Sequence, residues 1–219
     1  MDRRITVAIA AAILAAFVGW RVTDVNLNRL SFPVEEYRLG GEVSLNGSFA
    51  EYSYENTDGY VVRVVGVDRM SISEYLLECS KSDELSADYL SSGSSSTDVD
   101  APTLLVVDLV MTNHKGSGDE RGYLDSIGWS IRDDSHPWRW IRVDSALLQC
   151  TLPQLDGAYQ LSIKPGTSYS MRVPFSAEQD EVELFRSDSM WKCPDMESGE
   201  YGLILTKDPT RKVVRFSVE

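Results

Sequence analysis

Histidine and cysteine are scarce in this chain, and two common catalytic signatures are missing. The 219 residues include two histidines and three cysteines, and neither GxSxG nor HExxH occurs. His114 and His136 lie in polar stretches typical of turns. A hydrolase or a metalloenzyme would find few suitable side chains here. The sequence therefore predicts a protein that is not an enzyme and uses no cofactor.

An excess of basic residues is also lacking. Lys and Arg number 21 against 34 Asp and Glu, which gives a formal net charge of -13. A field of this sign opposes attraction to a phosphate backbone, which argues against nucleic-acid binding. The hydrophobic fraction of 42% and the charged fraction of 25% are ordinary for a folded protein and rule out wholesale disorder.

Long hydrophobic runs are limited to one, from Ile5 to Trp20, directly after Arg3 and Arg4. A basic start followed by an apolar run is typical of an export signal or a signal anchor. As a helix the run spans about 24 Å, and the flanking aromatic and basic side chains extend its reach into the interface. Residues 5–20 are therefore predicted to cross a membrane.

We expect residues 1–21 to be an uncleaved anchor rather than a cleaved signal peptide or a buried core helix. The small residues that cleavage requires are poorly placed, because Leu14 stands two positions before Ala16 and Phe17 two before Gly19. With the basic start held in the cytoplasm, the remaining chain is extracytoplasmic. The predicted location is the cell membrane, crossed once, or the exterior if the signal is cleaved.

Beyond the anchor, residues 22–36 indicate a stalk and residues 37–219 one domain. A capping-box pattern starting at Ser71 predicts a short helix over residues 73–80. The Ser-rich stretch at 91–96 predicts a flexible surface loop.

Short segments of alternating apolar and polar residues, separated by turn signals, dominate the domain. They predict an all-β fold, an immunoglobulin-like antiparallel β-sandwich with one short helix, preceded by the N-terminal transmembrane or signal-anchor helix. The predicted strands are Glu42–Phe49, Tyr60–Val67, Leu104–Asn113, Tyr123–Ile131, Trp138–Val143, Tyr159–Ile163, Tyr169–Phe175, Val182–Phe185, Tyr201–Thr206 and Lys212–Val218.

The three cysteines, Cys79, Cys150 and Cys193, are too far apart for a CxxC redox or zinc motif. An extracytoplasmic compartment permits disulfides. One bridge and one free thiol are expected, and the sequence leaves open which two cysteines pair.

The most unusual stretch runs from Trp138 to Arg142. On a strand, Trp138, Trp140 and Arg142 share one face, which places two aromatic rings beside a guanidinium group. Such a face can stack on sugar rings or hold a carboxylate. The favoured interpretation is nevertheless that at least one tryptophan of this stretch packs in the core, where Trp129 could join it, and the exposed recognition face is the alternative.

Asp133, Asp134 and His136 precede that stretch and could together bind a divalent cation. Residues of these types are also common in turns. The turn is the favoured interpretation, and no metal site is predicted.

Several motifs resemble those of a known group of domains. They are the strand Leu104–Asn113 ending in "TN", the sequence "LSIKPG" at Leu161–Gly166 and "SMRVPFS" at Ser170–Ser176. Over residues 37–219 the chain resembles the telokin-like, immunoglobulin-like domains of unknown function in secreted and membrane-anchored bacterial proteins. "DGYVVRV" at Asp58–Val64 and "SISEYL" at Ser71–Leu76 are similar to an anchored subgroup from Gram-positive bacteria. The resemblance implies an immunoglobulin-like fold and supplies no catalytic residues.

Three classes of function remain open. The first is a noncatalytic binding domain on a bacterial cell surface, whose partner is an unknown cell-envelope protein or glycan. The second is a structural or sensory accessory domain that packs on a membrane partner, and the third is an enzyme. Exposure of Trp138 and Trp140 would favour the first class over the second, whereas a pocket joining His114 or His136 to a carboxylate or hydroxyl would favour the third.

Overall fold

A computed structural model of the protein describes residues 32–91, 99–116, 118–153, 159–177 and 194–219. The described residues are mostly β-strand, with three short α-helices and a 3-10 turn among them. The strands are β1 (Val34–Arg38), β2 (Glu42–Ser44), β3 (Tyr60–Met70), β4 (Leu104–Asn113), β5 (Leu124–Asp125), β6 (Ser130–Asp133), β7 (Trp140–Val143), β8 (Gln160–Leu161), β9 (Thr167–Ala177), β10 (Gly199–Thr206) and β11 (Arg211–Val218). The helices are α1 (Ile72–Cys79), α2 (Asp83–Ser91) and α3 (Ser145–Thr151), and the 3-10 turn is Ser126–Gly128.

Within the described residues, nine strands form one sheet in the order β1-β11-β10-β6-β7-β9-β4-β3-β2. β1 lies parallel to β11, and the other neighbouring strands pair antiparallel. The edge strands β1 and β2 follow each other along the chain, and the Gly40 N–H between them donates to the Val64 carbonyl at 2.8 Å. The sheet is therefore curled into a nearly closed barrel, while β5 and β8 pair separately.

This architecture corrects the prediction of a sandwich of two sheets. The predicted alternation is present: in β4 the side chains of Leu105, Val107, Leu109 and Met111 are buried inside the barrel. A sandwich and a barrel both require one inward face on every strand, so alternation alone does not distinguish them. The two folds differ in which strands pair with each other, and many of the paired strands lie far apart in the sequence.

A second apolar layer covers part of the outside of the barrel. Helices α1 and α3 pack on the outer face of β3 and β4, and the buried residues there are Met70, Ile72, Tyr75, Cys79, Leu104, Val106 and Leu147. β4 is therefore buried on both faces over its first half. The predicted helix at 73–80 is confirmed as α1, complete with the capping box of Ser71 and Glu74.

Other boundaries differ from the predictions. β1 begins at Val34, inside the segment assigned to the stalk, so the domain starts before residue 37. The predicted strand Glu42–Phe49 ends at Ser44, and α2 and α3 add two helices that the sequence interpretation missed.

The predicted strand Tyr123–Ile131 is interrupted by the 3-10 turn. The Asp125 side chain caps this turn by accepting the Ile127 N–H. Gly128 lies so close to the neighbouring loop that a Cβ atom there would be 2.9 Å from the Ala50 Cβ.

Some predictions fall on residues outside the described ranges. They include the anchor at 1–21, most of the stalk, most of the Ser-rich loop and the strand Val182–Phe185. Among the helices of the described residues, none is both long and apolar enough to cross a membrane.

Candidate functional site

The β6–β7 hairpin carries the residues that the sequence singled out. Ile141 and Val143 of β7 point into the barrel, so the alternate residues Trp140 and Arg142 point outward. The guanidinium carbon of Arg142 lies 5.0 Å from the centroid of the Trp140 ring, a cation–π contact. The predicted pairing of an aromatic ring with a guanidinium group is therefore present on β7.

Trp138 lies in the loop before β7 and packs against a different neighbour. Its ring and the His136 ring are nearly perpendicular, with centroids 5.4 Å apart. Trp138 is 71% exposed and Trp140 is 60% exposed. The prediction that Trp138 or Trp140 packs in the core is therefore wrong. Trp129 does lie in the core, since it is 2% exposed. We call the exposed set Trp138, Trp140 and Arg142 the tryptophan face.

A buried carboxylate shapes the loop that presents this face. Asp133 Oδ1 accepts the backbone N–H groups of Ser135 at 2.8 Å and His136 at 3.1 Å. Its Oδ2 lies 3.1 Å from His136 Nδ1 and 3.4 Å from Arg139 Nη1. These contacts hold both ends of the loop, so Trp138 is presented from a well-braced turn.

The alternative of a metal site at this turn finds no support in the geometry. Asp134 points away from Asp133 and His136 to form ion pairs with Arg132 at 3.3 Å and Arg215 at 2.9 Å. Across the described residues, no group of three or more His, Cys, Asp or Glu side chains is placed to hold a metal ion.

The His136–Asp133 contact is also the arrangement that an enzyme hypothesis would look for. The same carboxylate already accepts hydrogen bonds from two backbone N–H groups and from Arg139. Those contacts belong to a turn, and the contact does not by itself define an active site.

The strand register brings further arginines to the outer surface beside Trp140. Arg132 is directly opposite Trp140, and Gly202 is opposite both Arg132 and Arg215. A Cβ at Gly202 would lie 3.1 Å from Arg215 Nη1, so the glycine makes room for the arginine to lie across the sheet. The tryptophan face therefore adjoins two arginines, and both form ion pairs: Arg132 with Asp134, and Arg215 with Asp134 and Glu36.

A second aromatic surface was missed by the sequence interpretation. The Tyr52 and Tyr54 rings stack with centroids 4.9 Å apart, and Tyr123 lies 6.2 Å from Tyr54. The buried Glu55 carboxylate braces this loop by accepting the N–H groups of Glu51, Tyr52 and Asp125. Two tyrosines at a spacing of two in a polar loop are the signal that could have found it.

The two described cysteines, Cys79 and Cys150, are buried and carry free thiols. Burial raises the pKa of both thiols. The predicted bridge is thus not formed between these two residues, and Cys193 lies outside the described ranges.

Fold and surface together define a β-rich, barrel-like domain with an exposed aromatic face. The chain belongs to the family described as "Domain of unknown function (DUF5028)", whose family model matches residues 34–212. The resemblance to domains of unknown function is thereby confirmed, whereas this family's description mentions neither telokin nor immunoglobulins. No curated protein and no solved structure matches the chain.

Proposed function

We propose that this protein is a noncatalytic binding domain held outside the cytoplasm of a bacterial cell by its N-terminal segment. Its partner is a cell-envelope protein or glycan, recognised through the tryptophan face. The observation that carries the proposal is the exposure of two tryptophans, Trp138 and Trp140, in the β6–β7 hairpin. The motifs quoted above support the finer inference that its relatives are anchored domains of Gram-positive bacteria.

Large exposed aromatic rings are unusual because they leave apolar area in water. Tryptophan and arginine are enriched among the residues that contribute most to binding energy. Neither exposed tryptophan is needed for the core, since Ile141, Val143 and Trp129 fill the adjacent interior. Retaining two such rings at the surface is therefore better explained by recognition than by folding.

The tryptophan face is also preorganised. The Asp133 contacts brace the loop of Trp138, and Arg142 lies over the ring of Trp140. Side chains that are already ordered lose less entropy on binding, which favours affinity. Flat, exposed aromatic rings suit stacking on a sugar ring or packing against an extended peptide.

The test is capture of envelope proteins and glycans by the full chain, compared with the Trp140→Ala variant. We expect binding of the captured partner to weaken at least tenfold, while the free energy of unfolding changes by less than about 1 kcal/mol. Tyr54→Ala removes an exposed ring from the other aromatic surface and should leave binding intact. A stable Trp140→Ala protein that binds normally would defeat the proposal.

A further inference from the structure

The second aromatic surface shares no residue with the tryptophan face. We call its three residues, Tyr52, Tyr54 and Tyr123, the tyrosine surface. Tyr52 is 40% exposed and Tyr54 is 57% exposed. Their rings are only 11° from parallel, with centroids 4.9 Å apart, and the Tyr123 ring is tilted by 41° from that of Tyr54. Two parallel rings are therefore presented to solvent as a flat stack.

Hydrogen bonds fasten this stack to strand β5. Glu55 Oε1 accepts the N–H groups of Glu51 and Tyr52, each at 2.9 Å, and its Oε2 accepts the Asp125 N–H at 3.0 Å. The Tyr123 hydroxyl donates to the backbone carbonyl of the next tyrosine in the stack, at 2.6 Å. Rings that are ordered before a ligand arrives lose little entropy on binding.

A buried carboxylate lies on the same side of β5 as the tyrosines. Leu124 is buried in the core, so its neighbours Tyr123 and Asp125 both point to the outer face of this extended segment. Asp125 is only 6% exposed. Its Oδ1 accepts the Ile127 N–H at 3.1 Å, whereas its Oδ2 accepts no hydrogen bond from any residue that the structure describes. A buried carboxylate oxygen without a donor costs free energy, which a donating ligand would recover.

No basic side chain balances the charges beneath the tyrosine surface. Within the described ranges, neither Glu55 nor Asp125 forms an ion pair. Two lysines of neighbouring segments are engaged elsewhere. Lys207 Nζ lies 3.4 Å from Glu51 Oε2, and Lys115 Nζ donates to an asparagine side chain at 3.2 Å. This arrangement differs from a closed ion-pair cluster, because two carboxylates have only N–H groups as partners.

The titration of neighbouring groups reports the same negative potential. Burial raises the pKa of Asp125, the Ile127 N–H offsets part of that rise, and the charges of Glu55 and Glu51 add to it. Desolvation raises the pKa of the Tyr54 hydroxyl, and Asp125 and Glu55 are among the groups that raise it further. A cation placed at the tyrosine surface would relieve this repulsion.

We propose that the tyrosine surface binds the guanidinium group of an arginine side chain on a partner peptide. The planar cation would stack on the exposed rings of Tyr52 and Tyr54 and donate a hydrogen bond to Asp125 Oδ2. An anion is disfavoured because the carboxylates beneath the rings would repel it.

The flatness of the stack selects a planar cation. Arginine stacks on aromatic faces and is more weakly hydrated than an ammonium group, so it is preferred over lysine. A quaternary ammonium group is bound by rings that enclose it as a cage. The rings of Tyr52 and Tyr54 are nearly parallel to each other and enclose no such space.

The test is an NMR titration of the purified full chain with three peptides, acetyl-Gly-Arg-Gly amide and its lysine and citrulline analogues. Citrulline has the shape of arginine without the charge. We expect saturable binding of the arginine peptide, about tenfold tighter than the citrulline peptide and about threefold tighter than the lysine peptide. Equal affinity for the arginine and citrulline peptides would overturn the proposal, as would a lysine peptide that binds as tightly as the arginine peptide.

Substitutions of Tyr54 test the contribution of the ring. Tyr54→Leu removes the aromatic face from an exposed position and should weaken binding of the arginine peptide about fivefold. Tyr54→Phe is the matched control, because it keeps the ring and should bind normally.

A second pair of variants tests the charge. Asp125→Asn can still cap the 3-10 turn, and should weaken binding of the arginine peptide about fivefold while leaving the citrulline peptide unaffected. Glu84→Gln is the matched control, because it removes the same charge from an exposed position on α2. Trp140→Ala should bind the arginine peptide normally, so this site and the tryptophan face are tested separately. Unchanged binding in both Tyr54→Leu and Asp125→Asn would refute the assignment.

Discussion

Asp144 is a half-buried residue whose carboxylate joins three parts of the fold. Its Oδ1 caps α3 by accepting the Leu147 N–H at 3.0 Å. Its Oδ2 accepts the hydroxyl groups of Ser176 at 3.2 Å and Tyr89 at 3.3 Å. Burial raises the pKa of Asp144, and the hydrogen bond from Leu147 offsets part of that rise.

This raised pKa predicts a pH dependence of stability. Asp144 keeps its proton to a higher pH in the folded than in the unfolded protein, so the free energy of unfolding falls as pH rises from the ordinary carboxyl range through the folded pKa. In the Asp144→Asn variant the asparagine side chain can still cap α3, but it has no proton to titrate in this pH range. Urea denaturation between about pH 4 and pH 8 should show the native protein losing stability relative to this variant.

A second substitution separates the cap from the charge. Asp144→Ala should follow the same pH dependence as Asp144→Asn but lie about 1 kcal/mol lower, because alanine cannot cap α3. A difference between native protein and Asp144→Asn that does not change with pH would contradict the expected titration.

Helix α1 owes its start to a reciprocal cap. The Glu74 N–H donates to Ser71 Oγ at 3.1 Å, and the Ser71 N–H donates to Glu74 Oε2 at 2.8 Å. Ser71→Ala should lower the free energy of unfolding by about 1 kcal/mol, measured by urea denaturation. Leu77→Ala is the control: Leu77 is 86% exposed on the same helix, so its loss should cost less than about 0.5 kcal/mol. Equal effects of the two substitutions would show that the cap contributes nothing.

Local signals explain which secondary structures were predictable. The cap of α1 and the alternation of β4 each depend on residues that are close together in the sequence, and both predictions are confirmed. α3 has seven residues and is stabilised by burial of Leu147 and Leu148 rather than by a long amphipathic pattern. Its existence depends on the sheet beneath it, which no local pattern describes.

The same distinction applies to the surface sites. Trp140 and Arg142 share a face because a strand has period two, so their contact could be predicted. The cluster of Arg172 with its carboxylate partners could not, because Arg172 is 94 residues from Glu78 and 104 from Asp68. The pairing of β9 with β4 and of β4 with β3, together with the packing of α1 on these strands, brings the charges together.

The first and last strands of the described domain, β1 and β11, are neighbours in the sheet. β1 pairs with β11, so Val34 lies opposite Arg211 and Arg38 opposite Arg215. Ion pairs reinforce this seam: Lys212 Nζ lies 2.7 Å from Glu35 Oε2 and Arg215 Nη2 lies 2.7 Å from Glu36 Oε1. The hydrogen bond from Lys212 holds the pKa of Glu35 below its usual value. The first strand thus covers what would otherwise be an exposed edge of β11.

The proposed location of this domain can be tested on the intact chain. A β-lactamase fused after Glu219 acts on external substrate only outside the cytoplasm, so an anchor with Arg3 and Arg4 inside should give an active reporter. Arg3→Glu with Arg4→Glu should weaken that orientation and lower reporter activity. Arg21→Gln is the matched control, because it removes a basic residue from the opposite flank of the apolar run and should preserve the orientation. If the unmodified fusion places its reporter in the cytoplasm, so that external substrate is not cleaved, the proposed location is wrong. The choice of an envelope partner would then be wrong as well.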